Sequence, residues 1–218
     1  MRGARHGASE RELTWLGWTA SQAISPDGKW VLFSEQGEPA GGGYIVAMRN
    51  FDGSAPIRLG GGNAFGFSPD GKWAAATAAG RGPQVTLLPT GAGQPKKSEV
   101  SDLEVVGGAS FFPDGKLLIV NGAERGQAYR TYAVDISSGK ASPITPEGVI
   151  SLVLSPDGQN VAAQDVSGGI VIYSLEGKPP RSVPGTNGML PLQWSVNGRF
   201  LLTTVPDEVP GRVLRVDP

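Results

Sequence analysis

The sequence predicts an all-β protein, a β-propeller of about five four-stranded antiparallel blades. Three observations predict it. One phrase recurs five times: Ser25-Pro26-Asp27-Gly28-Lys29-Trp30, Ser68-Pro69-Asp70-Gly71-Lys72-Trp73, Phe112-Pro113-Asp114-Gly115-Lys116-Leu117, Ser155-Pro156-Asp157-Gly158-Gln159-Asn160, and a decayed Ser195-Val196-Asn197-Gly198-Arg199-Phe200. The turn glycines Gly28, Gly71, Gly115, Gly158 and Gly198 follow one another at steps of 43, 44, 43 and 40 residues, the period of a propeller blade. Each period also holds short apolar runs separated by Gly, Pro, Asn and Asp, which is strand and turn punctuation.

The repeated phrase is a turn with a mechanism. Proline presets φ at the second position, Asp tolerates the third, and glycine takes the left-handed position that closes a bulged hairpin. Residues 1–12 read as a disordered lead-in and residues 13–218 as the propeller, its last repeat incomplete. Leu13–Leu16 could be a strand before the first full repeat. Repeat one runs to Ile24, then Trp30–Ser34, Tyr44–Arg49 and Pro56–Leu59. Repeat two has Ala64–Phe67, Trp73–Thr77, Gln84–Leu88 and a weakly marked strand near Lys97–Val100. In its first strand Phe65 and Phe67 alternate with small residues and are expected on one face. Repeat three runs Val105–Phe111, Leu117–Val120, Tyr129–Val134 and Ser142–Ile144. Repeat four runs Ile150–Leu154, Val161–Ala163, Ile170–Tyr173 and Arg181–Val183. Repeat five gives Leu190–Trp194, Phe200–Thr203 and Val213–Val216. The second strands are continuously apolar, as for strands covered on both faces. The fourth-strand regions carry Pro56, Pro143, Pro180 and Pro184, which suits an outer edge. Because the fifth repeat lacks a fourth strand, the expectation is a segment of a larger ring. The alternative is a five-bladed ring closed by Leu13–Leu16.

Composition bounds function by exclusion. The formal net charge of −1 gives no reason to expect nucleic acid or an anionic membrane as partner. No apolar run approaches the ~18 residues of a membrane helix, and the polar start carrying Arg2, Arg5 and Arg11 is no secretory signal. With no cysteine there are no disulfides or thiolate metal sites, and the sequence assigns no compartment. No cofactor or metal is expected.

The catalytic patterns fail one by one. Gly66-Phe67-Ser68-Pro69-Asp70-Gly71-Lys72 matches most of a phosphate loop, but Trp73 stands where Ser or Thr would hold magnesium and no helix follows. The turn aspartates Asp27, Asp70, Asp114 and Asp157 are set by backbone conformation and separated by a blade each. His6, the single histidine, lies in the lead-in, so neither a triad nor a zinc site can be built. No G-x-S-x-G elbow is present. Trp30 and Trp73 share one repeat position and read as inter-blade core, whereas Trp15 and Trp18 lie outside that register.

Blade topology places the five turns on one face of the ring. The longer loops, 35–43, 79–83, 122–127, 165–169 and 206–211, collect on the opposite face. They carry Glu35, Glu38, Arg81, Glu124, Arg125, Asp165, Asp207 and Glu208, the candidate ligand-face residues.

The repeats resemble TolB-type and related WD-like propeller repeats, without the Trp-Asp dipeptide. Longer phrases are similar to the C-terminal propeller of certain bacterial eukaryotic-like serine/threonine protein kinases. These are Glu12-Leu13-Thr14-Trp15-Leu16-Gly17-Trp18, Leu32-Phe33-Ser34-Glu35-Gln36-Gly37-Glu38, Asp52-Gly53-Ser54-Ala55-Pro56, Leu87–Gly93, Phe112–Lys116, Pro143–Gly148 and Val213–Asp217. That resemblance implies a sensing or interaction module, with no catalytic residues of its own, behind a kinase domain. This chain contains no kinase motif. The expectation is therefore a non-catalytic module binding a protein or a small molecule. The alternatives are the gating propeller of a prolyl-oligopeptidase-like hydrolase, marked by a hydrolase domain downstream, and a free-standing TolB-like periplasmic interaction protein, marked by a signal peptide.

Overall fold

The repeated turns are the framework from which the blades hang. The computed structural model describes residues 2–3, 11–13, 15, 17–36, 43–77, 82–149, 152–206 and 211–218, and among these it contains strands and turns but no helix. A two-stranded ladder joins β1 (Arg2–Gly3) to β2 (Arg11–Glu12). Blade 1 is β3 (Trp18–Ile24), β4 (Trp30–Gln36), β5 (Tyr44–Asn50) and β6 (Ile57–Gly61). Blade 2 is β7 (Asn63–Phe67), β8 (Trp73–Thr77), β9 (Gln84–Pro89) and β10 (Lys96–Glu99). Blade 3 is β11 (Val105–Phe111), β12 (Leu117–Ala123), β13 (Arg130–Asp135) and β14 (Ala141–Pro143). Blade 4 is β15 (Leu152–Leu154), β16 (Asn160–Gln164), β17 (Ile170–Ser174) and β18 (Arg181–Ser182). Blade 5 has three strands, β19 (Leu190–Trp194), β20 (Leu201–Thr204) and β21 (Val213–Val216). Every pairing is antiparallel between sequential strands, and the five blades form a β-propeller.

Four of the five turns are held by the same side-chain bonds. In blade 2 the Ser68 hydroxyl donates to Asp70 Oδ1 at 2.6 Å and accepts the Trp73 amide at 3.0 Å. Asp70 Oδ1 also accepts the Lys72 amide at 3.0 Å. Blades 1 and 4 repeat this with Ser25/Asp27 and Ser155/Asp157. Blade 5 does the same without a charge, Asn197 Oδ1 accepting from Ser195 at 2.8 Å and from the Arg199 amide at 3.2 Å. In blade 3 Phe112 replaces the serine. Its ring enters the core between blades 3 and 4, and of the side-chain bonds only Asp114–Lys116 remains. The hydrogen bonds from the turn serines hold Asp27, Asp70 and Asp157 below the usual carboxylate range.

Blades bury one another. Leu32 and Met48 pack on Ala64 and Ala74 between blades 1 and 2, and Val85 and Leu87 on Val106 and Leu118 between blades 2 and 3. Ile119 meets Val161 and Tyr173 between blades 3 and 4, and Ile172 meets Trp194 and Leu201 between blades 4 and 5. The middle strands are therefore buried on both faces, as in Ala74–Thr77 and Val161–Ala163. Of Leu13–Leu16, Thr14 and Leu16 lie outside the described residues, and among the described residues no strand pairs on the outer side of β21. Leu13 packs with Val31, Phe33 and Ala47 on the face of blade 1 turned away from blade 2.

One local expectation fails for a definable reason. A β-bulge falls between Ala64 and Gly66, so Phe65 is the extra residue and simple alternation breaks. Phe67 packs towards blade 1, whereas the Phe65 ring lies against Gly108 of blade 3. Matching bulges occur at Gln22 and Leu192 in the first strands of blades 1 and 5.

Candidate binding faces

On the long-loop face the structure sorts the candidate residues. Glu38, Arg81, Asp207 and Glu208 lie outside the described residues. Glu35 is in strand, not loop. The Thr19–Glu35–Ile45 ladder carries β4 through Gln36, and the carboxylate, 0% exposed, accepts a hydrogen bond from the Thr19 hydroxyl. Asp165 closes its own turn, accepting from the Ser167 hydroxyl at 2.6 Å and the Ser167 amide at 2.9 Å. Arg125 is exposed. Glu124 does join a cluster, though with partners the sequence did not mark. Its Oε1 accepts from Arg130 Nη2 at 2.5 Å and from the Tyr132 hydroxyl at 3.1 Å, while Arg130 Nε donates to that hydroxyl at 3.0 Å. These bonds lower the Glu124 pKa, first through Arg130, and raise that of Arg130; burial raises that of Tyr132.

The turn face carries clefts at the blade junctions. A cleft of about 490 Å³ opens where the first strands of blades 3, 4 and 5 run into their turns. Phe111, Val153, Leu154, Leu192, Trp194 and Val196 form most of its walls, and among the described residues no titratable side chain lines it. Leu192 is 45% and Val196 92% exposed. The Trp194 indole fixes one wall by donating to the Val153 carbonyl at 3.0 Å across the blade 4–5 junction. Sequence reasoning passed over this cleft, yet a signal existed. In the fifth repeat Val196 stands where the other four have proline, putting an aliphatic side chain at an exposed turn position.

The Pro-Gly turns also touch round the rim. A Cβ on Gly71, Gly115, Gly158 or Gly198 would come within 3.0–4.0 Å of Pro26, Pro69, Pro113 or Pro156, respectively, in the preceding blade. The repeated phrase thus sets the spacing between blades as well as the turn.

This architecture has relatives of known structure. TolB from Acinetobacter baumannii superimposes with a TM-score of 0.62 and 19% identity, over 85% of this chain and 51% of that one. The fold is that of the TolB-type and WD-type β-propellers. A TolB-like protein from Agrobacterium tumefaciens gives a TM-score of 0.70 with 21% identity, over 92% of this chain and 77% of that one. The Protein LST8 homolog of Drosophila melanogaster is 28% identical over 154 residues, 65% of this chain and 48% of that protein. This chain therefore spans about half the length of that homolog and of the Acinetobacter TolB. No family model matches the chain. An oligogalacturonate lyase in complex with manganese also superimposes on this chain, with a TM-score of 0.65 and 16% identity over 90% of this chain and 61% of that one. The fold by itself does not separate binding from catalysis.

Proposed function

We propose that this chain is a non-catalytic propeller module that binds a protein or small-molecule ligand, the sensor or scaffold part of a larger bacterial signalling protein such as a serine/threonine kinase. The observation that carries the binding role is the largely apolar cleft at blades 3–5, with Leu192 and Val196 exposed in its walls. Such walls suit an aliphatic or aromatic segment of a partner, because burial of apolar area drives docking. The kinase association rests on the longer phrases, such as Leu32–Glu38 and Val213–Asp217. A second reading, a free-standing TolB-like interaction protein, is favoured by the TM-scores of 0.62 and 0.70.

A photo-reactive p-benzoylphenylalanine at Val196 tests the binding role, since that side chain is solvent-exposed and its replacement leaves the core intact. Irradiation in the source cell is expected to give a discrete adduct that Leu192→Asp abolishes. Diffuse background from Val196, with discrete adducts from Arg125 instead, would overturn this placement. Sequencing the full-length gene separates the two readings.

A further inference from the structure

Two of the clefts on the turn face are built from equivalent residues. Between blades 2 and 3, a cleft of about 300 Å³ has Trp73, Leu87 and Phe111 as apolar walls, with Asp70 and Asp114 at its mouth. Between blades 1 and 2, a cleft of about 270 Å³ has Trp30, Met48 and Phe67 in the same positions, with Asp27 and Asp70. The strand registers establish the equivalence. Leu32 pairs with Met48 as Ala75 pairs with Leu87, and each leading residue lies four positions after its turn glycine.

The two clefts differ in one respect. The blade 2–3 cleft is already supplied with a cation: Lys96 places its ammonium 4.5 Å from the centroid of the Trp73 ring. Lys96 reaches it from β10, where it pairs with Leu87. The corresponding residue of blade 1, paired with Met48 on β6, is Ile57. It is 44% exposed and does not line the cleft. So the blade 1–2 cleft keeps the aromatic wall and the two carboxylates, but among the described residues no lysine is laid on the ring.

We propose that the cleft between blades 1 and 2 takes a lysine side chain from a protein partner, its ammonium over Trp30 as the chain's own Lys96 lies over Trp73. The physics favours this occupant. An indole face attracts an ammonium through its quadrupole, and the attraction grows where the cation is partly desolvated. Met48 and Phe67 offer apolar surface to the four-carbon stem, so the side chain can bury its stem and keep its head near the carboxylates. Asp27 and Asp70 spend Oδ1 on their turns, which fixes both carboxylates in place. Lys72 holds Asp70 only loosely, at 3.8 Å in the open. Junctions 3–4 and 4–5 lack this cleft chemistry, because Leu117 and Asn160 occupy the tryptophan position. The proposal deepens the binding role given above but concerns a different junction, so failure at Trp30 and failure of the Val196 adduct are distinguishable.

The test follows the Trp30 indole N–H by NMR, assigned with Trp30→Phe, during titration of the intact chain with N-acetyl-lysine methylamide. A saturable shift of that signal is expected. The norleucine analogue, equal in stem but uncharged, is expected to shift it at least tenfold less at equal concentration. Ile57→Lys is expected to move the free Trp30 signal in advance and weaken lysine binding at least tenfold, because the cleft is then filled from within. Its site is exposed, so the variant keeps its fold. Lys96→Ala is expected to create a second saturable shift at Trp73. No saturable shift at Trp30, an equal response to norleucine, or unchanged binding in Ile57→Lys would overturn the proposal. Tighter binding of tetramethylammonium than of the lysine probe would overturn the choice of a lysine side chain.

Discussion

Three turn glycines share one backbone conformation but differ in what surrounds them, and replacing each by alanine separates conformational cost from packing cost. Gly28, Gly158 and Gly139 have φ of 70°, 72° and 72°. An alanine at φ > 0 costs about 1 kcal/mol from the clash of Cβ with its own carbonyl. Gly28→Ala should lose only that, since its Cβ would meet nothing within 4 Å. At Gly158 the new Cβ would lie 3.0 Å from Pro113 Cδ and 3.3 Å from Cγ. The blade 3 turn must then yield, adding about 1–3 kcal/mol of overpacking. At Gly139 it would lie 2.2 Å from the Glu99 carbonyl oxygen. That atom is backbone, so blades 2 and 3 must part, also straining the Ser101 N–Gly139 O bond of 2.9 Å. A loss above about 4 kcal/mol is expected, in the range reserved for disrupted cores. Urea unfolding at constant m gives the three values. Equal losses at Gly28 and Gly158 would refute the claim that the turns set blade spacing.

Further outcomes follow from the same structure. Asp135 is held down to about 2, chiefly by the Ser137 hydroxyl, and Asp27, Asp70 and Asp157 are also lowered. A depressed folded-state pKa gives stability that is present above the unfolded value near ~4 and lost as pH falls through the folded value. Urea midpoints should therefore drop from pH 4 towards pH 2, less steeply in Asp135→Asn; parallel curves would contradict this. Phe112→Ser restores the turn serine of the other repeats and its two hydrogen bonds, worth about 1 kcal/mol each. It also removes a buried ring, costing about 3–5 kcal/mol, so the variant should be less stable by about 2 kcal/mol, as unfolding would show. Burial raises the pKa of Tyr132 and Tyr173, so ultraviolet titration should show late-ionising phenols, one of which disappears in Tyr132→Phe.

Much of this fold is legible in the sequence because its turns repeat one chemical pattern with few departures. Ser-Pro-Asp-Gly specifies its own hydrogen bonds within six residues, so local sequence was enough to place five hairpins and, through their period, five blades. The decayed fifth copy still forms because Asn197 presents the same acceptor as aspartate. What lay beyond local reading were features made between blades. Alternation put Phe65 beside Phe67, and a bulge set them towards different neighbours. A loop was expected to begin at Glu35, and cross-strand pairing with Thr19 and Ile45 kept it in the ladder. Glu124 could be placed on the loop face, but its partner Arg130 read only as a residue of the strand Tyr129–Val134. The apolar cleft is assembled from three blades, so no window of sequence contains it.

The central claim is that this propeller works by docking a partner on its turn face. Hydrogen-exchange mass spectrometry of the chain, free and bound to the partner captured from Val196, tests it most directly. The account expects slowed exchange at residues 153–156 and 190–198, with segments 122–130 and 165–169 of the loop face unchanged. Slowing confined to those loop segments, with the turn face exchanging as in the free chain, would contradict it.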